Sequence, residues 1–425
     1  MSSTTTAGRD DSRRGRLLNG LGQVTLGVMA VGIPTLSVPG LADAYVLPRA
    51  ILVLIGGAIC LAVAILLRQL RFGPLMWPGL LVAVAALVAG IFSIDPTVSF
   101  LGAPGRLDGV AERLGYLALF VAAVSLLRTG KDRTRLVSLF LLGCAAIAVD
   151  SIAQSLATGG ARADANLGSP ILLGALLAMA LPLVVARGLR NWRWLGLMPL
   201  LSAGLLVSGT RSAWLGALMG LSAILLLTIR RRRVLAASAA GVVVVVVVSL
   251  GITITPLRDL NQDPGTARIH VWSDAVHMAW ARPITGWGED TMGEAFGTFV
   301  TGDWEHGVSF DRAHSEPIDL WIAQGAIGLA AIGWFWITWW KHLMTERRRD
   351  EIIGIMGLWV AYAFWALLNF DWVAATGPLW LFAAVAWSSG YGVPERSRRT
   401  TSGAFARIRR PRLRREVTHP RAPAG

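Results

Sequence analysis

Cysteine, lysine and charge are all scarce in this 425-residue chain. Its two cysteines, Cys60 and Cys144, each sit inside an apolar run, which excludes a disulfide framework or a cysteine-based metal set. Only 16% of residues are charged while 54% are hydrophobic, and mean hydropathy is positive. A conventional soluble multi-domain enzyme is thereby excluded. No HExxH, Walker phosphate loop or GxSxG occurs, so zincin, nucleotide-hydrolase and serine-hydrolase frameworks are absent too. What the chain does have is a series of apolar runs near the ~20 residues that one bilayer-spanning helix needs.

Such runs fall at roughly 18–38, 46–67, 74–93, 113–127, 136–156, 169–187, 194–210, 212–229, 234–254, 318–340, 351–370 and 374–391. They predict an all-α polytopic membrane protein with about 12 transmembrane helices. The predicted order is a basic head over 1–17, nine helices over 18–254, a large exoplasmic loop with short helices over 255–317, three helices over 318–391, and a disordered basic tail over 392–425. Val242 to Val248 is seven valines in a row, a strand pattern in water but a helix in lipid, where the backbone must satisfy itself. Ala42-Asp43-Ala44 imitates a signal-peptidase site, yet the preceding apolar run is long for a cleaved leader, and a retained first helix is expected.

The net charge of +14 suggests nucleic acid until its placement is considered. With both termini cytoplasmic, 31 Lys and Arg fall in inner segments and 9 in outer ones. That is the positive-inside pattern, and a polybasic tail facing anionic headgroups explains the rest. Membrane lipid is an expected partner, and nucleic acid is not.

One polar stretch interrupts the oily chain, from Thr255 to Asp319, with four of the six histidines. Within it Pro264 to Trp280 reads as a helix whose stripe of Ile269, Trp272, Val276, Ala279 and Trp280 suits a membrane interface. His270, Asp274 and His277 share one helical face, but no fourth ligand is evident and no metal is expected. Outside the stretch, the tight hinge Ser208-Gly209-Thr210-Arg211-Ser212 puts Arg211 at the end of two spans. A guanidinium there is costly unless it meets an anion, and its fork suits phosphate. Arg106, Arg162, Arg268 and Arg312 are expected on the same face. His314, beside Asp311, Arg312, Glu316 and Asp319, is placed to take a proton from a hydroxyl near neutral pH.

Three stretches resemble the O-antigen ligase and polymerase family of membrane glycosyltransferases. Ser208-Gly209-Thr210-Arg211-Ser212-Ala213 is similar to the family's Ser-Gly-(Ser/Thr)-Arg-x-(Ala/Gly) span start. Arg268 to Trp272, followed by Arg282-Pro283-Ile284-Thr285-Gly286-Trp287-Gly288, resembles its R…W…P-x-x-G-x-G loop. Asp311-Arg312-Ala313-His314-Ser315-Glu316, with Gly325 to Leu329 downstream, resembles its (DRA)HN…G-x-x-G helix entry. The chain departs from that pattern at Ser315, where the family has Asn, and the departure bears on the acceptor.

The resemblance implies a metal-independent, inverting transfer, without cofactor, at the outer face of the cytoplasmic membrane. A glycan would pass from an undecaprenyl diphosphate carrier to a hydroxyl on a glycan, lipid or protein acceptor. It implies that Arg211 and Arg268 hold the diphosphate and that His314 activates the acceptor. Arg312 would help with charge, and Arg106, Arg162, Glu316 and Asp319 are the remaining candidates for substrate binding. A polymerase of the same family differs in acceptor alone. A transporter or flippase would place charges at mid-membrane, whereas the ionisable residues here gather at one face. A non-catalytic assembly protein would use the outer loop only to bind a partner.

Overall fold

The computed structural model describes residues 4–41, 43–71, 73–104, 106–228, 266–302, 310–346 and 350–391. Among these residues every regular element is a helix. The first nine are α1 (Thr4–Thr35), α2 (Val46–Leu66), α3 (Met76–Ile91), α4 (Pro96–Leu101), α5 (Val110–Leu126), α6 (Gly130–Ala157), α7 (Pro170–Gly188), α8 (Met198–Val207) and α9 (Arg211–Thr228). After the gap come α10 (Thr266–Ala281), α11 (Met292–Ala295), α12 (Glu316–Glu346), α13 (Asp350–Ala366) and α14 (Val373–Ser388). Among the described residues, six helical stretches are long and apolar enough to cross a membrane: Arg13–Thr35, Val46–Leu66, Gly130–Ala157, Pro170–Gly188, Arg211–Thr228 and Glu316–Glu346. The predicted run 234–254, the proposed cap and first turn at Asp263 and Pro264, and the tail 392–425 lie outside the described residues. The basic head expected over 1–17 is helical from Thr4, because α1 continues through it into the apolar run.

Local chemistry sets several helix starts. Asp95 accepts from the amides of Thr97 and Val98 at 2.8 and 3.1 Å, with Pro96 in the first turn of α4. Thr129 and Asp132 form a reciprocal capping box at the start of α6.

Lipid tails are as apolar as leucine, so helices in a bilayer associate through close packing rather than through water exclusion. The contact of α9 with α13 follows that rule. A Cβ on Gly216 would lie 2.6 Å from the carbonyl oxygen of Ala361, and one on Gly220 would lie 2.5 Å from that of Gly357. The two backbones therefore touch, which fixes the level of Arg211 at the head of α9. In the other half, the fully buried Arg49 donates to the carbonyls of Ile33 at 2.8 Å and Asn166 at 2.9 Å. It thus ties the end of α1 to the loop that carries Arg162.

The apolar run predicted over 318–340 is not one straight helix. At Gly325 the backbone turns to φ 64°, ψ −162°, and breaks α12. The loop from Pro283 to Gly288 fills the break. Ala326 N donates to Pro283 O at 2.8 Å, Trp287 N to Ile322 O at 2.7 Å, and Gly288 N to Ala323 O at 3.0 Å. A side chain at Gly325 would strike Ile284 O at 2.2 Å, and one at Gly286 (φ 73°) would strike Ala323 O at 2.4 Å. The two glycine-bearing stretches are therefore halves of one interlock.

Above this interlock α10 covers a small second core of Val271, Ala275, Met278, Ala279, Met292, Phe296, Ala313 and Ile322. The predicted apolar stripe divides: Ala279 is buried, whereas Ile269 and Trp280 are each 64% exposed. Burial is shifted toward the face that contacts α11 and α12, and the opposite apolar edge is left open.

Candidate active site

The site is organised by a short connection that joins α13 to α14, Leu368 to Asp371. Arg268 Nη1 donates to Leu368 O at 3.2 Å. The Asn369 amide donates to Ser212 Oγ at 2.9 Å and to Trp365 O at 2.8 Å. Its carbonyl accepts from Glu316 N at 3.0 Å. The Phe370 ring meets His314 edge to face at 5.0 Å between centroids. Asp371 N donates to Glu316 Oε2 at 3.2 Å. One tetrapeptide thus contacts Arg268, His314, and the residue next to Arg211.

Arg211 itself is exposed at the start of α9. The preceding turn is held by Thr210 Oγ1 donating to Pro170 O at 2.8 Å and by Trp214 Nε1 donating to Leu205 O at 2.9 Å. Gly209 adopts φ 61°, and Arg162 lies across it, its Nε donating to Ser208 O at 3.1 Å. Arg162 and Arg211 therefore share one turn.

His314 sits in the left-handed region, at φ 56°. That conformation is uncommon for a residue with a side chain and persists only when neighbours impose it. Asp319 supplies the constraint. Its carboxylate accepts from Ala313 N at 2.6 Å and from Ser315 N at 3.3 Å, on either side of the histidine. Trp272 Nε1, from α10, donates to Ala313 O at 2.8 Å and pins the same turn. Asp319 is buried and acts on the turn, so it positions His314 rather than facing solvent.

A buried ionic cluster supports the turn from beneath. Arg312 pairs with Asp108 and, at 2.8 Å, with Asp290. Arg106 reaches the same Asp290 at 3.0 Å and also pairs with Asp311. Burial works against the Arg312 charge, but Asp108 and Asp290 outweigh it and raise its pKa. Burial likewise opposes the Asp108 carboxylate, yet Arg312, Arg113 and Arg106 overcome it and hold its pKa below the usual range. Asp290 and Glu289 go the other way, raised by burial that Arg312 and Arg113 respectively only partly offset. Arg312 is therefore committed to protein carboxylates, while Arg211 remains exposed at its helix end.

The His270, Asp274 and His277 trio does not converge. Asp274 is buried and accepts from Thr301 N at 3.0 Å and Thr301 Oγ1 at 2.7 Å, while the two histidines are exposed. Among the described residues there is no group of three or more His, Cys, Asp or Glu placed to hold a metal ion.

With this geometry in place, the comparison with protein families is informative. Residues 196–333 match the family model described as O-antigen ligase. Over these residues the chain is similar to the O-antigen ligase family. No curated protein matches the chain. The O-antigen ligase segment contains Arg211, Arg268, Arg312, His314, Glu316 and Asp319, and both halves of the glycine interlock.

The O-antigen ligase segment does not hold all the groups that meet there. Arg113, mostly buried in α5, lies 2.6 Å from Asp371, 3.5 Å from Glu289 and 3.9 Å from Glu316. Glu289 also accepts from Gln324 in the broken turn of α12. Arg113, Asn369 and Asp371 lie outside the matched segment, and the sequence reading assigned none of them a role. The one available signal was a charge at the edge of an apolar span, present for both Arg113 and Asp371. Arg113, Glu316, Gln324 and Asp371 form the polar end of a cavity of about 370 Å³, whose other walls include Leu329, Trp336, Leu379 and Trp380.

Proposed function

We propose that this protein is a membrane glycosyltransferase of the O-antigen ligase type. It moves a glycan from a polyprenyl diphosphate carrier to an acceptor hydroxyl at one face of the membrane. Arg211 and Arg268 receive the diphosphate, and His314 receives the acceptor. The observation that supports this most is the Leu368–Asp371 connection, which touches Arg268, Ser212 and His314 at once.

In the proposed step the acceptor hydroxyl gives its proton to the His314 imidazole as its oxygen bonds to the anomeric carbon. The bond from that carbon to the phosphate oxygen breaks, and the diphosphate leaves with the electron pair. Negative charge grows on the leaving group, where fixed guanidiniums stabilise it most if water is scarce. A base at a helix entrance, held rigid by Asp319, is suited to reach the hydroxyl within hydrogen-bond distance. The cavity below Arg113 and Asp371 has the mixed lining that suits a chain with a polar head.

Ligase and polymerase differ only in the acceptor, and the same groups serve both. The direct test is genetic and chemical. Loss of the gene should remove one surface glycan and cause its lipid-linked precursor to accumulate. An unchanged glycan profile with no accumulated precursor contradicts the proposal.

A further inference from the structure

A second cavity runs along α5 from Leu114 to Val124, with Arg71 at the end of α5 away from the candidate site. It measures about 600 Å³ and is bounded by α2, α3 and α5, with Phe335 of α12 and Trp387 of α14 at its back. Its lining is apolar except for Arg71. The level of its charged end follows from α5: Arg113 of the candidate site is in its first turn, and Arg128 lies just past its far end. The helical rise between them is about 22 Å, most of a bilayer's hydrocarbon thickness.

The mouth of the cavity is built from the segment after α2. Arg68 N donates to Ile65 O at 2.8 Å and Gln69 N to Ala64 O at 2.9 Å, which together close the helix in a Schellman motif. The left-handed residue in that motif is usually glycine, but here Arg68 occupies it at φ 52°. Arg71 N then donates to Ser125 Oγ at 3.2 Å, which brings the segment against the end of α5. Two polar atoms beside this junction are buried without a hydrogen-bond partner, a donor at Arg128 Nε and an acceptor at Gln69 Oε1. Buried polar groups are normally satisfied, and exceptions of this kind call for a ligand or water.

We infer that the cavity holds an acyl chain of an anionic diacyl phospholipid from the leaflet opposite the active face. Its phosphate is received by Arg71 and Arg128, and a headgroup hydroxyl donates to Gln69. The apolar wall requires a chain, which free phosphate lacks. The three arginines at 68, 71 and 128 require negative charge, which a zwitterionic headgroup offers less well. The site is structural or regulatory in location and does not depend on the glycosyl-transfer proposal.

The test uses the full chain in mild detergent, with native mass spectrometry reading bound lipid. The probes are dipalmitoyl phosphatidylglycerol and dipalmitoyl phosphatidylcholine, offered separately and as an equal mixture. The wild-type chain should retain one phosphatidylglycerol with a preference on the order of tenfold. Arg71→Ala/Arg128→Ala should bring that preference close to parity. Gly79→Leu should abolish retention of either lipid, since a Cβ there meets nothing closer than 3.8 Å and the longer side chain enters the cavity. Ala118→Phe blocks it from the α5 side and stands in if Gly79→Leu fails to elute as a folded species. Equal retention of the two lipids by the wild type, an unchanged preference in the arginine variant, or undiminished retention in a folded cavity-filled variant overturns the inference.

Discussion

The side-chain amide of Asn369 donates to Ser212 Oγ at 2.9 Å, joining the α13–α14 connection to the first turn of α9. Ser212 follows Arg211, and the carbonyl of the same Asn369 accepts from Glu316, two residues after His314. Two regions more than a hundred residues apart in the chain are held together through one buried residue, by its side chain on one side and its backbone on the other. Asn369→Leu removes the donor and leaves the backbone contact. Losing one such hydrogen bond costs roughly 1 kcal/mol, so glycan transfer should fall about fivefold while membrane insertion is retained. Kinetics on a lipid-linked donor, with expression measured in parallel, check this.

His314 is held in a conformation that glycine adopts freely. His314→Gly should therefore be more stable than His314→Ala by about 1 kcal/mol, although both variants lose the imidazole and should lose transfer. Thermal unfolding of the two in the same detergent gives the comparison. Equal midpoints would show that the turn is not strained.

Asp319→Asn keeps the size of the side chain but removes the charge that accepts from Ala313 N and Ser315 N. We expect transfer to drop by about ten- to a hundredfold, of the order expected when a reacting group is misplaced by about 1 Å. The effect should fall on kcat rather than on donor KM, because Asp319 acts through His314. A change in KM alone would instead assign Asp319 to donor binding.

Gly325→Ala places a Cβ 2.2 Å from Ile284 O, on backbone that cannot yield cheaply. The positive φ adds its own strain. The variant should lose about 2 kcal/mol or more of stability, seen as a lower unfolding temperature or poor recovery from membranes. Gly333→Ala, at a helical glycine with open space around it, is the control and should behave as wild type.

The Asp108–Arg312 pair predicts a pH dependence with a definite sign. The folded protein holds the Asp108 pKa below its unfolded value of about 4. Its contribution to stability is present above that value and is lost as pH falls through the folded pKa. The gap in unfolding temperature between wild type and Asp108→Asn should therefore be widest near neutrality and narrow below about pH 4. A gap that widens on acidification contradicts the assignment.

The residues of the candidate site could be picked out in the sequence because charge is rare in this chain. Arg211 and His314 stood out as ionisable groups at the ends of apolar runs and Arg268 within the polar stretch, and the helical class followed from those runs. The rest was hidden for physical reasons. Arg113 and Asp371 are 258 residues apart, and each alone looks like an ordinary charge at a span edge. Gly325 lies within the apolar run 318–340, and its break is imposed by the Pro283–Gly288 loop rather than by local preference. Arg312 resembled a free cation because its carboxylate partners, Asp108 and Asp290, lie in separate loops. Helical periodicity gave the stripe on α10 but not which part of it meets α11 and α12, so the split between buried Ala279 and exposed Ile269 and Trp280 was not legible.

The central claim is that Arg211 and His314 serve one reaction from the two sides of the Leu368–Asp371 connection. The most direct measurement is transfer from a polyprenyl diphosphate-linked glycan by purified Arg211→Ala and His314→Ala, with donor binding measured alongside. The expected result is that both variants insert normally and fail to transfer, Arg211→Ala through weakened donor binding and His314→Ala with binding preserved. Transfer at the wild-type rate by either correctly inserted variant contradicts the claim.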